Sequence, residues 1–220
     1  QNTLIGSLAG DALTDADYNT AVGYAALSTD TPGSRSTALG TQALVTQNFT
    51  TASNSYNVAL GFQAGYAVTT GQYNTLVGGL AGDALTTGGN NVAIGLEALG
   101  SDTLGSRSVA IGNNALLAQN FTTATNTYNT AVGHAAGTAV STGTSNTLIG
   151  AHSGDAITTG NDNTVVGSYA GSALTGSEFN TAMGKLALAT DTLGSYSTAI
   201  GALALNTQNF TTATNTYNTA

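Results

Sequence analysis

The chain has 220 residues, only 6% of them charged, and eleven acidic against three basic side chains give a net charge of -8 at pH 7. Arg35, Arg107 and Lys185 are its whole basic complement, which argues against nucleic-acid binding because no patch is available to grip phosphates. With no Cys there is neither a disulfide framework nor a thiolate metal site, and no apolar run reaches the length that crosses a bilayer.

From the first residues onward the pentad Asn/Ser-Thr/Val-apolar-apolar-Gly recurs, and such internal periodicity decides fold class before any local reading. It closes at Gly6, Gly23, Gly40, Gly61, Gly78, Gly95, Gly112, Gly133, Gly150, Gly167, Gly184 and Gly201. The step is 17 residues, except for 21 between Gly40 and Gly61 and between Gly112 and Gly133; a thirteenth copy starts at Asn218. A fixed step with one tolerated insertion is the signature of a solenoid coil, with these glycines as structural turn residues. Gln1 falls inside a repeat, so the chain is read as one continuous repeat segment, residues 1–220, taken from a longer fibre.

Each pentad predicts a short strand. The residues one and three before the Gly, aliphatic and Thr or Val, form a period-2 pair expected to line the coil interior. The position between them is mostly Ala, with Leu4, Leu76, Leu148 and Val165 as larger variants, and makes a second apolar face that should also be covered. Three residues after the Gly stands Ala, or Ser153, a column small enough to imply close approach of another backbone. The next residue is Gly or Leu. Gly copies continue into Ala-Leu/Val/Ile, whereas most Leu copies continue into Asp-Thr-x-Gly-Ser or Gln-Asn-Phe-Thr-Thr-Ala. The four-residue insertion, at Gln47 to Ala52, Gln119 to Ala124 and Gln208 to Ala213, always follows an Asp-Thr-x-Gly-Ser coil. A 17-residue coil has room for two strands of about five residues and two turns. The fold class is therefore all-β: a parallel β-solenoid, or β-roll, of 17-residue coils with periodic 21-residue coils. A single coil buries too little apolar surface to hold itself, so neighbouring coils and neighbouring chains must contribute.

The pentads Asn19 to Gly23, Asn91 to Gly95, Ser108 to Gly112 and Asn129 to Gly133, each followed by Ala three residues on, resemble the head repeats of trimeric autotransporter adhesins. Asn19 to Leu27 is also similar to the Asn-Thr-Ala-x-Gly repeats of phage and algal-virus tail fibres. The resemblance covers essentially the whole chain, although its coil is longer than the usual adhesin head repeat. It implies a left-handed β-roll, a homotrimer or filament, and attachment of a cell or virion to a host-surface glycan or matrix protein. Localisation is expected to be extracellular, on a cell surface or virion fibre.

No catalytic, cofactor-binding or metal-binding residue is assigned, and the chain is read as not an enzyme. His134 and His152 lack a second His or Cys at ligand spacing. Asp11, Asp83 and Asp155 share a column that elsewhere holds Ser28, Tyr66, Gly100 and Leu117, which fits a solvated turn better than a Ca²⁺ ladder. Asp30 with Arg35 and Asp102 with Arg107 are read as local surface contacts. Gly88-Gly89 belongs to no phosphate-binding pattern.

The insertions carry the candidate surface-binding or glycosylation residues. Asn48, Asn120 and Asn209 each open an Asn-Phe-Thr acceptor tripeptide. Phe49 with Tyr56, Phe121 with Tyr128, and Phe210 with Tyr217 either stack on sugars or anchor the insertion, the second being favoured by the burial tendency of aromatics. The leading functional expectation is an adhesive fibre, with a purely structural filament as the alternative. Ice binding is placed third because the Thr column is expected to face inward.

Overall fold

The structure, a computed structural model, describes residues 1–220 and contains no helix. The chain divides into two compact units, Gln1–Ser108 with Phe121–Asn126, and Val109–Asn120 with Thr127–Ala220. In the first, β1 (Thr3–Ile5), β2 (Thr20–Val22), β3 (Thr37–Leu39), β4 (Val58–Leu60), β5 (Thr75–Val77) and β6 (Val92–Ile94) lie side by side in chain order. In the second, β7 (Val109–Ile111), β8 (Thr130–Val132), β9 (Thr147–Ile149), β10 (Thr164–Val166), β11 (Thr181–Met183) and β12 (Thr198–Ile200) do the same. Pairing is parallel and pentad-to-pentad: Thr3 lies opposite Thr20, Thr37 opposite Val58 and Thr75 opposite Val92. Thr130 likewise lies opposite Thr147, and Thr181 opposite Thr198. Each unit is thus a parallel β-solenoid of coils spaced by 17 residues, or 21 where an insertion intervenes.

The pentad glycines end the strands because nothing larger fits there. Their φ angles lie between +128° and +142°. A Cβ on Gly6 would stand 2.6 Å from the carbonyl oxygen of Gly23, and one on Gly23 would stand 2.6 Å from that of Gly40. The opposite side of the coil is not the second five-residue strand that the length allows. Two positions there adopt left-handed backbone, Leu80 and Gly82 in one coil, Glu97 and Leu99 in the next. This geometry interrupts an extended strand yet preserves stacking, since Gly82 N–H still donates to Ala98 C=O at 2.9 Å.

The two faces of the strands are the reverse of the sequence expectation. The central residues, from Ala21 and Ala38 to Leu76, Leu148 and Val165, are fully buried, whereas the flanking pair points outward. Leu60 is 46% exposed, Ile149 40% and Met183 41%. The coil interior is narrow and is already filled from the other side by the Ala column, the following Gly or Leu, and Leu85 or its counterparts. Only a small central residue, or a Leu or Val opposite Gly, fits between them. A Cβ on Gly82 would meet methyls of Leu76 and Leu85 at 2.8 and 2.9 Å. The Ala column does lie against backbone: at its one exception, Ser153 Oγ donates to Val165 C=O in the next coil at 2.9 Å.

Two residues before each buried strand centre, on the same inward face, stands Asn or Ser. Asn74 is fully buried; its amide donates to Gly88 C=O at 3.0 Å, and its Oδ1 accepts from Asn91 N–H at 3.0 Å. In the second unit Asn146 donates to Gly160 C=O at 2.8 Å and accepts from Asn163 N–H at 3.1 Å. A buried amide is tolerated because both ends are paired, and here each rung satisfies the next.

Candidate binding surfaces

The outward strand face carries two columns. In the first unit one column reads Thr3, Thr20, Thr37, Val58, Thr75, Val92, and the other Ile5, Val22, Leu39, Leu60, Val77, Ile94. The second unit repeats this with Val109 and five Thr beside Ile111, Val132, Ile149, Val166, Met183 and Ile200. No charge interrupts either column. An extended apolar patch of this kind marks an interaction surface more often than bare solvent contact.

A second surface is the column of left-handed residues just before the buried Asn ladder. In the first unit it runs Tyr18, Arg35, Tyr56, Tyr73, Asn90, Arg107. Arg35 does not pair with Asp30. Its guanidinium carbon lies 5.1 Å from the Tyr18 ring centre and 5.7 Å from that of Tyr56, and its Nε donates to Asn54 Oδ1 at 3.0 Å. Tyr56 and Tyr73 stack with centroids 5.6 Å apart and planes 13° apart. In the second unit Phe179, Tyr196 and Tyr217 form a similar stack at 5.0 and 5.2 Å.

Asp30 faces inward, fully buried, because the insertion needs it there. Its carboxylate accepts from Gly33 N–H at 3.1 Å, from Gln47 Nε2 at 2.6 Å and from Phe49 N–H at 3.4 Å. Asn57 then donates to Gln47 Oε1 at 2.8 Å. A Cβ on Gly33 would overlap this carboxylate, which accounts for the Gly of Asp-Thr-x-Gly-Ser. Asp191 repeats the arrangement with Gly194, Gln208 and Phe210. Asp102, also buried rather than at the surface, accepts from Gly105 and Phe121 N–H at 3.0 and 3.2 Å. The obligate order of the two coil types follows from this network, and the insertion rejoins the ladder where Ser53–Asn54 pairs with Gly33–Ser34.

The insertion residues separate into two environments. Asn48, Asn120 and Asn209 are exposed. Phe49 and Phe121 are buried and Phe210 half-buried, whereas Tyr56, Tyr128 and Tyr217 are exposed members of the left-handed column. Coil stacking also joins the two histidines: His134 meets His152 edge-on at 5.2 Å, and His152 stacks on Tyr169 at 4.8 Å with Nδ1 3.0 Å from Asp155. No three His, Cys, Asp or Glu side chains gather in a metal-holding group. In the first unit Asp11 and Asp83 stand four coils apart, so their shared column does not bring them together.

A shallow groove of about 250 Å³ opens beside Tyr73, lined also by Thr70, Gln72, Thr87, Gly89, Asn90 and Ser106. Compared with protein families, with curated proteins and with solved structures, the chain matches none.

Proposed function

We propose that this chain is a segment of an extracellular structural and adhesive fibre, built from copies of itself and carrying no catalytic activity. In this reading the solenoid winds left-handed, three copies meet through their outward strand faces, and the remaining faces serve attachment on a cell or virion surface. The supporting observation is the outward aliphatic column, from Ile5 to Ile94 in one unit and Ile111 to Ile200 in the other, unbroken by any charge. Water contact along such a column is unfavourable by roughly 25 cal/mol per Å² of apolar surface, and a second copy offers a matching column in the same coil spacing. Native mass is the decisive measurement. A multiple of 21.6 kDa, three-fold in this proposal, is expected, with Val77→Glu releasing monomers that remain folded. A wild-type monomer at every concentration overturns the reading.

A second reading, ice binding, gains from the outward Thr column, because the objection to it was an inward-facing one. Hydroxyls and methyls repeated at the inter-strand spacing of about 4.8 Å can order water. One face cannot serve both roles: monomer mass with thermal hysteresis selects the second reading, and oligomer mass without hysteresis selects the first.

A further inference from the structure

We infer that the groove beside Tyr73 is a binding site for one ring of a neutral saccharide, stacked on the face of Tyr73 that its own column leaves uncovered. One face of that ring is occupied by Tyr56, at 5.6 Å. On the other side the next coil places Asn90 at the same column position, registered by Asn90 N–H donating to Gln72 C=O at 2.9 Å. An amide stands where the neighbouring coils of this unit supply a ring or a guanidinium, and the space so created is the groove. Tyr73 is 51% exposed.

The chemistry of the lining selects the ligand. None of the lining side chains is charged, so neither an anion nor a cation is favoured. Thr70, Gln72, Thr87 and Asn90 have side-chain donors and acceptors that no protein group takes up. An aromatic face bordered by uncommitted hydroxyls and amides complements a pyranose, which has an apolar C–H face and a rim of hydroxyls. Ser106 contributes differently: its Oγ accepts from Gly89 N–H at 3.0 Å and so holds the floor of the groove in shape. The site deepens the attachment role proposed above and rests on that reading.

The test is an NMR titration of the full chain with methyl glycosides of glucose, galactose and N-acetylglucosamine, with N-acetylneuraminic acid as the charged comparison. A neutral glycoside is expected to shift the amides of Gln72, Tyr73, Gly89 and Asn90 with Kd of about 1 mM, the range open to a ligand of this size. Tyr73→Ala is expected to weaken binding about tenfold. Asn90→Tyr is the sharper variant, because the column already holds Tyr at 18, 56 and 73, so the fold persists while the added ring covers the groove and abolishes binding. Undiminished binding by Asn90→Tyr, no shift at these amides up to about 50 mM, or a stronger response to the acid than to the neutral glycosides would each overturn the inference. Native mass is independent of these outcomes, so loss of the saccharide site and loss of the fibre reading are told apart.

Discussion

In the coil that starts at Thr75 the interior is Leu76, Gly82 and Leu85; in the coils that start at Thr20 and Thr37 it is Ala21, Leu27 and Asp30, then Ala38, Leu44 and Gln47. Both kinds are fully packed, and their strands pair in the same register. The first is filled by aliphatic side chains projecting from the strand and the far wall. In the second the strand contributes only a methyl, a Leu crosses from the opposite side, and a carboxylate and an amide complete the layer by bonding to each other. Interior volume is conserved between the two while interior chemistry is not. That permits an insertion where the Asp–Gln pair captures its backbone, and nowhere else.

The comparison is tested most severely at Asp30. Asp30→Ala removes the acceptor for Gly33 N–H, Phe49 N–H and Gln47 Nε2 together, leaving buried donors unpaired, and a loss of about 4 kcal/mol is expected. Converting the pair to the aliphatic type, Asp30→Leu with Gln47→Leu, should recover part of that loss but not all, since the two backbone donors stay unsatisfied. Chemical denaturation of the single and double variants measures this. A double variant as unstable as the sum of its singles would show that the two residues do not act as a unit.

Volume exchange between the coil types is a gentler probe. Leu76→Ala opens a cavity worth about 3 kcal/mol, and Gly82→Leu overpacks against Leu76 and Leu85 for about 2 kcal/mol. Together they recreate the Ala-with-Leu pairing of Ala93 and Leu99, whose Leu already takes φ of 54°, but with Leu85 remaining where that coil has Asp102. The double variant should lose only about 2 kcal/mol, a coupling of about 3 kcal/mol. Simple additivity in denaturation would mean that strand centre and far wall do not share one volume.

This coupling also marks what was legible in the sequence. The period, the glycine column and the solenoid were readable because a Cβ at Gly6 or Gly23 collides with the next coil, which leaves Gly at every step. The inward face is not legible from polarity because both strand faces are apolar and the larger side chains lie on the outward one. The better signal was that Leu at the strand centre, as in Leu76 and Leu148, occurs with Gly at the far wall, as in Gly82 and Gly154, whereas the outward pair varies without a partner. The Asn ladder was hidden for the same reason: once Ala21 points inward, Asn19 two residues earlier must as well. Asp30 looked like a surface residue because charge ordinarily lies outside; only its obligate succession by Gln47 pointed to a buried pair. The groove at Tyr73 depends on Asn90, in the residue preceding the Asn ladder; that position also changes to Ser145 and Asp162 in the second unit, and such departures carry little weight until the coils are stacked.

Asp83 gives the smallest expected effect and contrasts two carboxylates of the first unit. Asp30 is held by three donors, whereas Asp83 is half-buried at the coil edge with Glu97 nearby. Burial, and then repulsion by Glu97, push the Asp83 carboxyl above its usual value of 3.8, outweighing the backbone N–H groups of Asp83 and Ala84 that favour the anion. The folded state therefore keeps this proton to higher pH than the unfolded chain does. The corresponding stability is fully present below the ordinary carboxylate range and is lost as pH rises through the raised value. Asp83→Asn, neutral at every pH, should be more stable than wild type at pH 7 by less than about 1 kcal/mol, solvent screening keeping the gain small. The gap should close as the pH falls to about 3, where the wild-type carboxyl is protonated too. Thermal melts across that range measure it, and a gap that is reversed, or that does not change with pH, would show that Glu97 and burial do not act on this carboxyl.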